Sequence, residues 1–311
     1  MSNPKLDESA TGVFIIAATP FNDDGSLDLD STDRMVDFYR EKGVSGITIL
    51  GVMGEAPKLT PDESVTFLAR VLKRTDGQIP VIVGVSNPGL DNLVRLANTS
   101  MEHGAAGVMV APPAGLGTDS KIYGYMSQVF SALGADIPVC YQDYPFLTKS
   151  ETSVPVFNRL VSEFSSVVML KHEEWPGLKK LTEVRESAER EGLRRVSILC
   201  GNGGLYLPQE LDRGADGAMT GFAYPEMLVE VVRLHRAGDR DAAEDLFDAY
   251  LPLVKHEQQP GFGLALRKET LHRRGVLASP KVRAPGPALG PTEHDELTRL
   301  IGRVEANLKA L

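Results

Sequence analysis

Short apolar runs recur along the first 220 residues of the chain, at intervals of roughly thirty residues. Most are four or five residues long and rich in Val, Ile and Leu, which is typical of strands buried on both faces. They predict eight strands, at residues 13–17, 47–50, 81–85, 108–110, 139–141, 167–171, 197–200 and 218–220.

The segments between these runs have the periodicity of amphipathic helices. Helices are predicted at residues 33–42, 61–74, 90–103, 122–133, 154–164, 178–191 and 225–237. Alternating strands and helices indicate a parallel sheet, and eight strands favour an α/β fold of the (β/α)8 TIM barrel type. A doubly wound open sheet is the rival, but it predicts a glycine-rich phosphate loop after an early strand, and the sequence has no GxGxxG or P-loop pattern.

Local signals support these element boundaries. Residues 60–63, Thr-Pro-Asp-Glu, have the pattern of a capping box with proline at the first helical position. A pair of glycines three residues apart precedes three of the predicted strands, at 43–46, 104–107 and 214–217. The first glycine of each pair suits a helix C-cap, and the second permits close packing where the strand begins.

The C-terminal part of the chain has a different pattern. Helices are predicted at 240–254, 263–273 and 293–308, with a proline-rich linker at 284–291. We therefore expect a barrel domain at residues 1–237 and a C-terminal helical extension at 238–311, without a second independent core.

Composition and charge narrow the function classes. The 311 residues carry a net charge of −9 and no basic cluster, which argues against a nucleic-acid or anionic-membrane partner. The two cysteines, Cys140 and Cys200, lie in apolar runs without metal-ligand spacing, so we expect small buried thiols and no metal. Residues 1–11 lack the apolar segment of a signal peptide, and we expect a cytoplasmic protein.

Lys171 is the most informative residue, because it ends the buried run at 167–171. Lysine is rarely buried. Where a buried strand ends on lysine, the amine either contacts a specific partner or extends into solvent at the edge of the sheet. A desolvated amine is a nucleophile that forms a Schiff base with a ketone. The active site of a barrel lies at the carboxyl ends of its strands, where Lys171 falls.

Other strand ends provide partners for that chemistry. Tyr141 ends the preceding strand and offers a phenol for proton transfer, although Tyr144 is an equal candidate for that role. The glycine-flanked segment at residues 51–55 is either an anion-binding nest for a substrate carboxylate or a plain tight turn. His172 is read as a hydrogen-bonded structural residue, and one carboxylate of the pair at residues 173–174 as an orienting group.

These residues together resemble the dihydrodipicolinate synthase / N-acetylneuraminate lyase family of class I lyases. The matching elements occur in family order: Thr19-Pro20-Phe21, Gly51-x-x-Gly54-Glu55, Tyr141, Lys171, Gly201 and the 217–221 strand. The resemblance implies that Lys171 forms the Schiff base with a 2-keto acid and that Tyr141 is the proton shuttle. It also implies a homotetramer without metal or organic cofactor. The implied substrate-binding residues are Gly51, Val52, Met53, Gly54, Glu55, Gly201, Met219 and Thr220.

The departures from the family pattern are informative. Val52 and Met53 replace hydroxyl residues, residues 112–114 replace a tyrosine pair, and no arginine follows Pro145 within the next three residues. A dicarboxylic substrate without a bidentate cation is poorly stabilised. The family also has one residue fewer between the tyrosine and the proline of this motif. We therefore expect a divergent aldolase or dehydratase that acts on pyruvate or a 2-keto-3-deoxy sugar acid.

Two alternatives remain open at this point. The first is the synthase that condenses pyruvate with aspartate semialdehyde. The second, from another functional class, is a non-catalytic keto-acid-binding barrel. It predicts binding without a covalent adduct.

Overall fold

The computed structural model describes residues 5–311. The signal-peptide prediction concerns residues 1–11, and the first four of these lie outside the described part. Eight parallel strands close into a barrel in sequence order, with β1 paired to β8. The strands are β1 Gly12–Ile16, β2 Gly46–Ile49, β3 Val81–Gly84, β4 Gly107–Val110, β5 Val139–Asp143, β6 Val167–His172, β7 Ser197–Cys200 and β8 Gly217–Ala218. The predicted (β/α)8 TIM barrel is confirmed.

Helices surround the barrel and continue into the C-terminal part. Those of the barrel are α1 Leu29–Glu41, α2 Pro61–Thr75, α3 Leu90–Glu102, α4 Asp119–Leu133, α5 Pro145–Thr148, α6 Val154–Glu163, α7 Leu178–Glu191, α8 Leu207–Asp212 and α9 Pro225–Arg236. Those that follow are α10 Arg240–Glu257, α11 Gly263–Arg273 and α12 Pro291–Leu308. The sequence pattern missed α5 and α8, because helices of four and six residues are too short to show a periodicity.

The capping box and the glycine pairs predicted from the sequence are present at the ends of the helices. Thr60 and Glu63 form the predicted capping box at the start of α2. The first glycine of each repeated pair has a positive φ, 75° at Gly43, 96° at Gly104 and 92° at Gly214, which favours glycine over residues with a Cβ.

Strand residues alternate between two packed layers. One face of the strands fills the barrel interior, where Phe14, Met109, Cys140, Met169 and Met219 belong to one buried cluster. The other face packs against the surrounding helices in a larger cluster. This alternation determines which side chains reach the barrel mouth and which lie beneath the helices.

The C-terminal helices pack onto the barrel. Phe247 and Leu253 of α10, Leu271 of α11 and Leu297 of α12 belong to the same buried cluster as the barrel helices. After α11 the chain returns to the barrel surface, where Arg283 pairs with Glu63 at 2.6 Å. Within residues 5–311 no helix has the combined length and hydrophobicity that a membrane span requires.

Candidate active site

Lys171 lies near the carboxyl end of β6 and faces the barrel interior. On this strand Met169 packs in the inner cluster, and Lys171, two positions later, points to the same side. Its register partner on β5 is Gln142. Only 5% of Lys171 is exposed. The amine is therefore shielded at the site where a ketone entering the barrel would meet it.

Glu173 brings a carboxylate to this amine. Its Oε2 atom lies 3.0 Å from Nζ of Lys171 and accepts a hydrogen bond from Nε2 of Gln142 at 2.6 Å. Glu173 is buried as well. A carboxylate in direct contact with the reactive amine is within reach of the protons that an imine reaction moves.

Gly201, which directly follows β7, leaves the space that Glu173 occupies. A Cβ at position 201 would lie 2.2 Å from Cγ of Glu173. Thr220 accepts a hydrogen bond from the backbone N–H of Gly203 at 2.8 Å and so holds the short 3-10 turn Asn202–Gly204 after β7. Met219 is part of the inner cluster. Contact of these predicted substrate-binding residues with substrate stays a prediction.

Tyr141, the predicted proton shuttle, lies on the other face of β5. Its hydroxyl is 2.5 Å from Oγ1 of Thr152, and its ring packs against Phe130 and Phe157 of the helix layer. Burial raises the pKa of this phenol well above its usual value. The structure therefore does not bring Tyr141 and Lys171 together; it places Gln142 beside the amine instead.

Tyr144, the alternative phenol, begins α5 just beyond the end of β5. It is half-buried, and burial together with the charge of Glu173 raises its pKa to about 12. The phenol thus lies within electrostatic reach of Glu173 and keeps its proton at neutral pH.

The segment after β2 forms a tight turn with two free amides. The N–H of Gly54 donates to Gly51 O at 3.0 Å, and that of Glu55 donates to Val52 O at 3.1 Å. The N–H groups of Val52 and Met53 precede these bonds and have no acceptor among residues 5–311. Adjacent free amides form an anion-binding nest, which fits a carboxylate.

A second polar group lies behind the site, between β5, β6 and α7. Nζ of Lys180 is 2.7 Å from Oδ2 of Asp143 and also pairs with Glu174. Burial raises the pKa of Asp143 to about 6, although Lys180 opposes the shift. Burial lowers the pKa of His172, whose Nε2 lies 2.9 Å from Gly177 O. These contacts hold the loop after β6, and His172 has the hydrogen bond that was expected of it.

The two thiols and the carboxyl of Glu210 are buried. Cys140 and Cys200 are free and buried, which confirms their expected role as small core residues. Burial raises the pKa of Glu210 on α8 to about 8, while a hydrogen bond with Cys200 opposes the shift. In residues 5–311 no group of three or more His, Cys, Asp and Glu residues is arranged to hold a metal ion.

The sequence analysis did not predict that Gln142 and Glu173 would lie beside the Lys171 amine. Strand alternation from Lys171 leads to Glu173, two positions later, and this signal was available. The family has one residue fewer than this chain between its tyrosine and the following proline. Counted back from Pro145, the family's tyrosine position is therefore that of Gln142 and not of Tyr141. A register shift between Val139 and Cys140 also changes the pairing of β5 with β6. The pattern of apolar residues along the two strands does not predict that shift.

Comparisons with known proteins agree with this geometry. The sequence pattern of the dihydrodipicolinate synthetase family matches residues 9–306. The L-2-keto-3-deoxyarabonate dehydratase of Azospirillum brasilense is 31% identical over 298 residues, which cover 94% of each protein. The 4-hydroxy-tetrahydrodipicolinate synthase of Methanothrix thermoacetophila is 30% identical over 247 residues, 78% of this chain and 80% of that protein.

Solved structures share the fold. The crystal structure of dihydrodipicolinate synthase from Rhodopseudomonas palustris matches with a TM-score of 0.94 and 50% sequence identity. The match covers 96% of this chain and 99% of that chain. The similarity therefore extends over the barrel and the C-terminal helices alike.

Proposed function

The chain belongs to the dihydrodipicolinate synthetase family and is a Schiff-base lyase, and we propose that it dehydrates a 2-keto-3-deoxy sugar acid through an imine on Lys171. The observation that carries the proposal is the buried contact between the Lys171 amine and the Glu173 carboxylate, at 3.0 Å. Similarity to the Azospirillum brasilense dehydratase over 94% of the chain supports the substrate class.

Imine formation is the first step. The substrate carboxylate binds the free amides of Val52 and Met53, which directs the C2 ketone toward Lys171. The amine attacks C2, and loss of the C2 oxygen as water leaves a protonated imine. The cationic nitrogen withdraws electrons and acidifies the C3 hydrogens.

Elimination is the second step. Glu173 accepts a proton from C3, and the electron pair forms an enamine that expels the C4 hydroxyl. The proton held by Glu173 leaves with that hydroxyl as water. Hydrolysis of the imine then consumes the water released in the first step and frees Lys171, so the net reaction removes one water from the sugar acid.

Gln142 and Tyr144 support these proton transfers. Gln142 cannot exchange a proton as an acid or base, but its amide orients Glu173 through the 2.6 Å hydrogen bond. Tyr144 serves as a hydrogen-bond donor near Glu173. Proton transfer is therefore assigned to Glu173, because the β5 residue beside Lys171 is Gln142, which is not an acid or a base.

The lysine-biosynthetic synthase is the second candidate, because the Rhodopseudomonas palustris protein that bears this name is 50% identical. Residues 145–148, which form α5, include no arginine, and Phe146 and Leu147 are exposed there. A dicarboxylic product would lack a bidentate cation at this position. A coupled assay with pyruvate and aspartate semialdehyde tests this candidate.

Replacement of Lys171 tests the dehydratase. We expect Lys171→Ala to abolish turnover of 2-keto-3-deoxy sugar acids while the circular dichroism spectrum stays that of the parent. Loss of the sugar acid and formation of a product lighter by one water are followed by mass spectrometry. Turnover by Lys171→Ala at the parent rate would remove the imine from the mechanism.

We also infer a cytoplasmic homotetramer, as the family resemblance implies. The net charge of −9 suits a cytoplasmic protein. Exposed Phe146, Leu147, Trp175 and Tyr206 are available for subunit contacts. Sedimentation equilibrium measures the assembly, and a monomer at micromolar concentration would contradict it.

A further inference from the structure

Glu55 ends the turn that carries the two free amides, but its side chain points into a buried ion-pair network. Only 2% of the residue is exposed. Its carboxylate accepts hydrogen bonds from Lys268 Nζ at 2.6 Å, Lys58 Nζ at 2.9 Å and the backbone N–H of Arg283 at 3.0 Å. Both oxygens are therefore engaged by protein donors, so the predicted contact of this side chain with substrate finds no support here.

Lys268 connects the turn to the C-terminal extension. This residue of α11 is completely buried, and Nζ donates to Thr19 O and Lys281 O, each at 2.8 Å, as well as to Glu55. Burial lowers the pKa of Lys268 to about 8, against the opposing effect of Glu55. Three hydrogen bonds fix the amine between β1, the turn and the segment after α11.

Thr19 contacts both Lys268 and the turn. Its hydroxyl donates to Gly54 O at 2.6 Å, so the same residue contacts Lys268 through its backbone and the turn through its side chain. Glu55 itself has a φ of 54°, a left-handed conformation that is unfavourable for a residue with a Cβ. The contacts of its carboxylate maintain this conformation, and with it the direction of the amides that precede it.

We propose that Glu55 and Lys268 are positioning residues that set the affinity of the turn for the substrate carboxylate. The inference rests on the proposed function, since it assumes that the amides of Val52 and Met53 bind that carboxylate. It goes further by assigning control of the turn to α11 and to residues 281–283. The pair acts through the backbone amides and does not touch substrate.

The test compares two ketones that differ only in the carboxyl group. Pyruvate and methyl pyruvate are each titrated with borohydride present, and the half-saturating concentration for the adduct on Lys171 is measured by intact mass. We expect Glu55→Gln to raise the half-saturating pyruvate concentration about tenfold or more, the weight of a hydrogen bond to a charged group. The value for methyl pyruvate should change less than about twofold, because the neutral ester gains little from such a hydrogen bond.

Glu63→Gln is the matched control. Glu63 pairs with the Arg283 guanidinium on the same segment but makes no recorded hydrogen bond or ion pair with residues 51–55. It should leave both half-saturating concentrations unchanged. An equal shift for both ketones in Glu55→Gln, or no shift for pyruvate, would overturn the positioning role.

A second variant guards against misfolding. Replacing both members of a buried ion pair with neutral residues is often tolerated when removal of one member is not. The double variant Glu55→Gln/Lys268→Met should therefore fold and show the same selective loss for pyruvate. Failure of both variants to fold would assign the pair to stability alone and overturn the proposal. Absence of any adduct in the parent protein would instead contradict the proposed function.

Discussion

Glu173→Gln is the substitution that separates the two chemical steps of the proposed reaction. The change keeps the side-chain volume and a hydrogen bond with Gln142, but it removes the basic oxygen that lies 3.0 Å from Lys171 Nζ. A positioned general base contributes about 10² to 10⁴ in rate, or roughly 3 to 5 kcal/mol of transition-state stabilisation. We expect kcat for sugar-acid dehydration to fall by that factor.

The assay measures turnover and imine formation on the same protein. Since Lys171 is retained, borohydride should still trap pyruvate on it while dehydration fails. Glu174→Gln is the matched control, because this neighbouring carboxylate pairs with Lys180 behind the site. It should leave kcat close to that of the parent. Parent-like turnover by Glu173→Gln would rule out Glu173 as the base, as would joint loss of turnover and trapping.

Three further predictions follow from buried groups. Tyr144→Phe should lower kcat by about 10 to 100-fold, the weight of a hydrogen bond to a charged group, whereas Tyr141→Phe should leave kcat unchanged and lose about 1 to 2 kcal/mol in urea unfolding, because Thr152 loses its partner. The opposite ranking in kcat would return the shuttle to Tyr141. Burial raises the pKa of Glu210 from 4.5 to about 8, so the folded state favours the protonated carboxyl. This group therefore makes stability fall as pH rises between those values, by up to about 5 kcal/mol. Glu210→Gln should remove that fall in urea unfolding measured at pH 5, 7 and 9; a constant difference from the parent would contradict it.

The sequence predicted the barrel well because its signals are local. Apolar runs and amphipathic segments located the eight strands and the long helices, and the glycine pairs marked three of the joints between them. Parallel strands that are buried on both faces have few other stable arrangements. The position of Lys171 at the end of a strand was enough to place it at the barrel mouth.

The partners of Lys171 were harder to predict, because they depend on which face of a strand a side chain occupies. Alternation along β5 places Tyr141 in the helix layer with Val139, and Gln142 on the interior side with Cys140. The direction of Glu55 depends on Lys268, which is more than two hundred residues away in the chain. Such long-range contacts leave no periodic signal in one sequence. The division into residues 1–237 and 238–311 stays a prediction, although both parts share one buried cluster.

Borohydride trapping is the most direct test of an imine on Lys171. The parent protein is incubated with pyruvate or with a 2-keto-3-deoxy sugar acid, reduced, and analysed by intact mass and peptide mapping. We expect one adduct per chain, on Lys171, and dehydration of the sugar acid in the unreduced sample. A folded protein that gives no adduct with either compound, or an adduct on another lysine, would contradict this expectation.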